Sequence, residues 1–201
     1  MEIVAEPGTL IAITGSMFAG KSEELIRLVR RASYARKKVQ VFKSSLDDRW
    51  SATAVSTHSG VQLEAAPARD SRQLEKLVER DTSVIGIEEV QFFDKDIVPL
   101  CEKWVGKGKT VIVAGLDQDF RGEPFGFMPI LITLADEVIK LRAICMQCGK
   151  TASRTQRIIN GEPAYWDDPV ILIGASEKYE ARCRKCHKVR YRGKSKRSKA
   201  L

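Results

Sequence analysis

The sequence predicts an α/β protein in which a mostly parallel β-sheet carries helices on both faces and a smaller second domain follows. Three observations lead to this prediction. Apolar runs of strand length alternate with amphipathic segments of helix length through the first part of the chain. The first apolar run leads directly into a glycine-rich turn that opens a helix. From about Arg142 the chain changes to cysteines, short strand-like segments and charge, which indicates a second module.

The first three elements are expected in the order strand, helix, strand. Residues 10–14 form an apolar run that is typical of a buried strand. Apolar residues then recur every three or four positions from Lys21 to about Arg36, which predicts an amphipathic helix. Residues 39–42 alternate between apolar and polar and predict the second strand.

The same alternation continues toward the middle of the chain. We expect Ser71 to cap a helix, whose apolar face comprises Leu74, Leu77 and Val78. Residues 84–87 predict a further buried strand. Ile97, Val98, Cys101 and Trp104 follow at helical spacing, and residues 110–114 are a β-branched run typical of a central strand. We expect Cys101 to be a core residue.

The turn after the first strand has the pattern G-x-x-x-x-G-K-S. Its residues are Gly15, Ser16, Met17, Phe18, Ala19, Gly20, Lys21 and Ser22. Glycines allow the backbone to curl so that its N–H groups converge on phosphate oxygens, while the lysine adds positive charge and the serine hydroxyl binds Mg²⁺. The helix that follows directs its positive end at the anion. The pattern predicts a P-loop NTPase-like fold that binds ATP or another nucleoside triphosphate.

Composition excludes several classes of protein. The chain has 201 residues, of which 43% are hydrophobic, so it is expected to fold around a sizeable core. It contains no apolar run long enough for a membrane span and no signal-peptide pattern, and a cytoplasmic protein that does not contact membranes is expected. The net charge is +8, but residues 194–201 carry four of the positive charges and are interpreted as a basic disordered tail rather than a nucleic-acid arm.

Four cysteines form two C-x-x-C pairs. The ligands predicted are Cys145, Cys148, Cys183 and Cys186. Two such pairs present four thiolates to a tetrahedral ion, so a structural Zn²⁺ site is the leading interpretation, ahead of disulfides or unrelated buried thiols. His187 is an alternative ligand in place of Cys186. The predicted domains are residues 1–141 for the ATP-binding unit, 142–193 for the zinc-binding unit and 194–201 for the tail.

Two acids, Glu88 and Glu89, follow the strand at residues 84–87. Ligands of open α/β sheets bind at the carboxyl ends of the strands. Beside a phosphate loop, one acid at that edge helps to hold Mg²⁺, and a neighbour accepts a proton from an attacking hydroxyl. The pair therefore predicts phosphoryl transfer.

Taken together, these motifs resemble thymidine kinase of the zinc-containing cytosolic type (the type II family). The resemblance spans residues 8–190 and rests on four segments: residues 15–22, 88–93, 115–125, and 173–179 running into 183–186. It implies transfer of the γ-phosphate of ATP to the 5′-hydroxyl of thymidine, and of deoxyuridine, with Mg²⁺. It also implies a tetramer and feedback inhibition by thymidine triphosphate, within nucleotide salvage for DNA synthesis.

The resemblance also implies roles for individual residues. Glu89 is the expected general base, Arg49 is expected near the phosphates, and Ser22, Glu88 and Asp47 are the expected Mg²⁺ ligands. The loop between the cysteine pairs, called the lasso, reads the base largely through backbone groups. The expected nucleoside-binding residues are Met17, Phe92, Leu116, Phe120, Phe125, Thr155, Val170, Ile171, Leu172, Ile173 and Tyr179.

One residue departs from the pattern of the family, which has Asp-Glu where this chain has Glu88-Glu89. The added methylene moves the first carboxylate by about one bond length, roughly 1.5 Å. Direct and water-bridged contact with Mg²⁺ both remain open for Glu88. Two other functions also remain open: a kinase of another nucleoside, and an ATP-driven switch whose cysteine region and tail bind nucleic acid.

Overall fold

The structure, a computed structural model, describes residues 8–45, 54–56, 62–171 and 177–192. Its strands are β1 (Leu10–Thr14), β2 (Val39–Ser44), β3 (Ala54–Ser56), β4 (Gln62–Glu64), β5 (Ala66–Ala68), β6 (Val84–Glu88), β7 (Thr110–Gly115), β8 (Glu137–Lys140), β9 (Ala143–Ile144), β10 (Thr151–Ala152), β11 (Arg154–Ile159), β12 (Glu162–Pro163) and β13 (Glu177–Arg182). Its α-helices are α1 (Lys21–Tyr34), α2 (Ser71–Leu77), α3 (Ile97–Val105) and α4 (Met128–Leu134), and a 3₁₀ turn spans Val90–Phe92.

Six strands form the main sheet in the order β5-β2-β6-β7-β1-β8, and every pairing between them is parallel. The predicted parallel α/β sheet is thereby confirmed. Because all six strands run the same way, their carboxyl ends lie at one edge, where the phosphate loop leaves β1 and the two acids end β6.

Helices cover both faces of the sheet, as predicted. On one face, α1 packs Leu25 and Val29 against Ile11 and Ile112 of the central strands. On the other face, α2, α3 and α4 pack against the alternate residues of the same strands, such as Val111. Cys101 of α3 belongs to this second cluster, and burial raises the pKa of its thiol to about 12, which agrees with its predicted place in the core.

Three helix boundaries differ from the sequence prediction. The prediction that Ser71 caps α2 is wrong. Asp70 is the N-cap, because its carboxylate accepts a hydrogen bond from Gln73 N at 2.7 Å, and Ser71 is the first helical residue. Val78 lies outside the helix with extended backbone. Helix α1 ends at Tyr34, two residues earlier than expected.

Among the described residues, one smaller antiparallel sheet, β3 with β4, lies between β2 and β5 in the chain, and two others follow the main sheet. The last strand of the main sheet ends at Lys140, and an antiparallel pair, β9 and β10, begins at Ala143. Strands β11, β12 and β13 then form a three-stranded antiparallel sheet. Among the described residues, no helix is long and apolar enough to cross a membrane.

Candidate active site

The phosphate loop joins β1 to α1 by a backbone path that requires glycine at both ends. Gly15 has a φ of +151°, and a Cβ there would lie 2.6 Å from the carbonyl oxygen of Leu141. Gly20 has a φ of +87° and occupies the N-cap of α1, so no side chain competes for the first N–H groups of that helix. The loop and the helix thus direct backbone donors to one point.

Lys21 is the first residue of α1 and is buried, with 7% of its surface exposed. Its Nζ donates to the carbonyl oxygen of Ser16 at 3.1 Å, so the ammonium group lies across the loop rather than in solvent. A cation held in this position neutralises the charge of a phosphate group bound to the loop amides.

Ser22 and Glu88 meet at the carboxyl edge of the sheet. The Ser22 hydroxyl donates to Oε1 of Glu88 at 2.6 Å, although the two residues are 66 positions apart. Glu88 ends β6 and is only 6% exposed. Next to it in the register of β2 with β6 is Lys43, a buried lysine that the sequence analysis did not select. Two predicted Mg²⁺ ligands therefore lie in direct contact.

Glu89 is half-buried and has left-handed backbone, with a φ of 52°. This conformation turns the chain out of β6 and into the 3₁₀ turn that follows. Its Oε2 accepts a hydrogen bond from Nε2 of Gln91. Oε1 of the same amide accepts from Leu116 N at 3.0 Å, at the end of the neighbouring strand β7.

Gln91 therefore holds Glu89 at a fixed place relative to the sheet. The sequence analysis did not select Gln91 as a site residue. The site is tightly enclosed, since a Cβ on Gly115 would lie 2.4 Å from Oε1 of Gln91 and one on Gly126 would lie 2.2 Å from its carbonyl oxygen. A signal was present in the sequence: Gln91 is a polar residue one position before Phe92 in an otherwise apolar segment.

The predicted nucleoside residues divide into an aromatic group and a group at the phosphate loop. Phe92 and Phe125 pack edge to face, with ring centres 5.5 Å apart. Leu116 and Phe120 are buried on the same connecting segment. In the group at the phosphate loop, Oγ1 of the buried Thr155 accepts a hydrogen bond from Met17 N at 3.0 Å. This bond joins β11 to the phosphate loop.

The lasso residues are described in part. Val170 accepts a hydrogen bond through its carbonyl oxygen from Arg157, while Ile171 is 45% exposed. The Tyr179 hydroxyl accepts from Nε of Arg157 at 3.1 Å. Leu172 and Ile173 lie outside the described residues, as do Asp47, Arg49 and the basic tail at residues 194–201.

The four predicted zinc ligands come together. The Sγ atoms of Cys145, Cys148, Cys183 and Cys186 all lie within 4.8 Å of one another, and those of Cys148 and Cys183 are 3.7 Å apart. Tetrahedral zinc with Zn–S bonds of about 2.3 Å spaces its sulfur atoms about 3.8 Å apart. The cluster is therefore compatible with structural zinc.

The electrostatics of the cluster also suit a cation. Burial opposes ionisation of Cys145, but backbone N–H groups directed at the sulfur, chiefly that of Cys183, lower the pKa of this thiol to about 6. Hydrogen bonds to the sulfur atoms of Cys183 and Cys148 raise the pKa of Cys186 to about 12. Ionisation of all four thiols therefore calls for a compensating positive charge among them.

His187, the alternative ligand, lies outside the cluster. Its Nε2 donates to the carbonyl oxygen of Phe120 at 2.8 Å, and burial lowers the pKa of the imidazole. The residue next to the last cysteine thus contacts the segment that carries the aromatic residues. A second link is the hydrogen bond from Arg154 to Gln118.

Comparison with known proteins gives one family match and two structural neighbours of low identity. A family model described as "Thymidine kinase" matches residues 8–187, which is most of the chain. Two solved structures are similar at low identity. The flagellar accessory protein FlaH of Methanocaldococcus jannaschii is 18% identical, over 73% of this chain and 76% of that chain, with a TM-score of 0.49. Domain III of the replication initiation protein DnaA of Thermotoga maritima is 16% identical, over 67% and 56%, with a TM-score of 0.42.

Proposed function

This chain belongs to the thymidine kinase family, and we propose that Glu89 is the general base of its reaction, beside Mg²⁺ held by Ser22 and Glu88. Membership makes the chain an ATP-dependent phosphotransferase that phosphorylates thymidine. The observation that carries the assignment of roles is the 2.6 Å contact between Ser22 and Glu88, because it joins the phosphate loop to the two acids.

The loop of residues 15–22 binds the phosphates of ATP. Its amides and the N-terminus of α1 supply donors, and Lys21, already held across the loop, supplies the charge. Arg49 is proposed near the phosphates from the family resemblance alone.

The Ser22 hydroxyl and the Glu88 carboxylate are the groups proposed to hold Mg²⁺. Both are oxygen donors of the kind that Mg²⁺ prefers, and Asp47 is the third proposed ligand. When bound with ATP, the ion would neutralise charge on the phosphates during the transfer. The 2.6 Å contact with Ser22 supports a role for Glu88, whose longer side chain reaches the serine.

Glu89 accepts the proton of the 5′-hydroxyl as that oxygen attacks the γ-phosphorus. The bond from O5′ to phosphorus forms, the bond to the bridging oxygen breaks, and ADP leaves with the electron pair. Gln91 supports this role, since its amide fixes one oxygen of Glu89 against the end of β7. Catalysis of this kind depends on positioning more than on covalent chemistry.

The nucleoside is proposed between the aromatic group and the lasso. Phe92, Phe120 and Phe125 would face the base, together with Met17, Leu116 and Thr155. Backbone groups of residues 170–173 and the side chain of Tyr179 would complete the pocket. The zinc-binding cysteines anchor the two ends of the lasso, which lets it close over the nucleoside and exclude water.

Other predictions from the resemblance stay predictions. They are phosphorylation of deoxyuridine, the homotetramer, feedback inhibition by thymidine triphosphate, a cytoplasmic location, and the division into domains at residues 1–141, 142–193 and 194–201.

The test is an activity assay with Glu89→Gln. Purified protein with ATP and Mg²⁺ is given thymidine, deoxyuridine, deoxycytidine and deoxyadenosine, and the monophosphates are counted. We expect thymidine to be the best acceptor of the four and kcat of the variant to fall by about 10²–10⁴-fold with little change in ATP binding.

Glu102→Gln is the matched control, since Glu102 is an exposed residue of α3. It receives the same substitution outside the site and should keep the parent kcat. An unchanged kcat in Glu89→Gln would exclude this residue as the base. Equal turnover of all four nucleosides would contradict the thymidine pocket proposed above.

A further inference from the structure

Arg157 is a buried cation that the assignments above leave without a role. It lies in the middle of β11 and is 1% exposed, which makes it one of the largest fully buried side chains of the described residues. Burying a guanidinium group is costly unless its donors are paired, so a chain that folds this way must satisfy it with specific partners.

The partners of Arg157 come from two segments of the lasso region. Its Nε donates to the hydroxyl of Tyr179 on the neighbouring strand β13 at 3.1 Å. Its two terminal nitrogens donate to the carbonyl oxygens of Pro169 and Val170, at the start of the lasso segment expected to read the base. One planar group thus fixes two sides of the same loop.

The face of the guanidinium makes the third contact. Its carbon lies 4.2 Å from the centre of the Phe120 ring, in the range of a cation–π interaction. Phe120 belongs to the segment that follows β7, and its carbonyl oxygen is also the acceptor for His187. Arg157 therefore joins the lasso to the aromatic group.

We propose that Arg157 is a positioning residue that sets the shape of the thymidine pocket. Three of the four guanidinium partners named above, Phe120, Val170 and Tyr179, are nucleoside-binding residues in the function proposed above, on which this inference rests. The N–H donors lie in the plane of the guanidinium and contact Tyr179, Pro169 and Val170, while its face contacts the Phe120 ring. One group therefore fixes the positions of residues from three segments. None of these four contacts involves the phosphate loop, which β11 reaches through Thr155 instead.

The two substrates should therefore respond differently to a substitution of Arg157. Loss of the guanidinium should weaken the binding of thymidine while ATP binding is kept. Lysine retains the charge but places one point donor where three directed donors and a planar face are needed. We expect Arg157→Lys to raise the KM for thymidine by about tenfold or more, with the KM for ATP changed by less than about twofold.

The experiment measures both KM values, and the Kd of thymidine by calorimetry, for the parent, Arg157→Lys and Arg157→Met. Zinc content and thermal unfolding show whether each variant is folded. The methionine variant carries the test if the lysine variant is unstable, because apolar replacement of a buried ion often preserves stability. Arg69→Lys is the control, since Arg69 is an exposed arginine that pairs with Asp70 outside the proposed site.

A rise in the KM for thymidine but not in the KM for ATP, absent in the control variant, supports the proposal. So does a double variant with Tyr179→Phe whose effect is smaller than the product of the two single effects, because the residues then act through one contact. Unchanged KM values in a folded variant, or equal increases for both substrates, would overturn it. A parent protein that does not phosphorylate thymidine would instead refute the proposed function.

Discussion

The substitution Gln91→Met tests whether the amide of Gln91 is needed to hold the proposed base. Methionine keeps the length and approximate volume of the side chain but removes both the donor and the acceptor. Gln91 is 3% exposed, so water cannot easily replace the lost groups. The substitution therefore releases one oxygen of Glu89 and leaves the Leu116 N–H without its acceptor.

The expected size of the effect follows from these two hydrogen bonds. Leu116 is 7% exposed. An unpaired N–H in such a place costs about 1–3 kcal/mol. The hydrogen bond to Glu89 contributes less than a fully buried one, because Glu89 is only partly buried. We expect the free energy of unfolding to fall by about 2–3 kcal/mol and kcat by about 10-fold or more.

The assay pairs urea unfolding with kcat at saturating ATP and thymidine. Gln91→Glu keeps an acceptor for Leu116 N but buries a second carboxylate beside Glu89, so kcat and the free energy of unfolding should both fall at least as far as in Gln91→Met. Gln73→Met is the control at an exposed amide of α2. If Gln91→Met lowers stability but leaves kcat at the parent value, the amide supports the fold alone and the reasoning about Glu89 is refuted.

Two further predictions concern the metal and the response to acid. Cys148→Ser should reduce the zinc content from about one ion per chain and raise the KM for thymidine more than that for ATP; retained zinc by elemental analysis would contradict this. Burial opposes ionisation of Asp94, but N–H donors led by that of Ser71 lower the pKa of its carboxyl group. The ionised Asp94 therefore stabilises the fold fully at pH values above the unfolded-state pKa of 3.8, and this stabilisation is lost as the pH falls through the lower pKa of the folded state. Asp94→Asn should therefore flatten the pH dependence of the unfolding free energy below about pH 4, and parallel curves for parent and variant in urea titrations would count against it.

Sequence analysis succeeded where the signal is local. The phosphate loop needs a strand, two glycines and a helix within 25 residues, and each is visible as a short pattern around Gly15 and Gly20. The cysteine pairs are equally compact. Although they are 34 residues apart, a metal site requires them to meet, and their sulfur atoms do.

The same approach missed residues whose role depends on distant contacts. Arg157 lies in an ordinary strand segment, and its partners at 120, 169, 170 and 179 follow only from the pairing of β11 with β13 and the course of the lasso. Local sequence does not distinguish Asp70 from Ser71 as the cap of α2, because aspartate and serine are both good N-caps. The choice between Asp70 and Ser71 depends on Asp94, which takes the N–H of Ser71 from 23 positions away.

Three hydrogen bonds between the cysteine region and the main domain lead to residues proposed to bind the nucleoside or to the segment that carries them, and Ala19 of the phosphate loop packs against the same cluster as Cys145 and Cys183. His187 contacts the carbonyl oxygen of Phe120, and Arg154 contacts Gln118, so two of the links end on the segment that carries the aromatic residues. The third link, from Thr155 to Met17, ends inside the phosphate loop, at the residue proposed to face the base. Loosening the cysteines would therefore disturb the thymidine pocket through all three links, while Lys21 and Ser22 keep their positions on α1. A zinc-depleted protein that still binds ATP but has lost thymidine would support this coupling, and parallel loss of both substrates would show that the two regions respond as one unit.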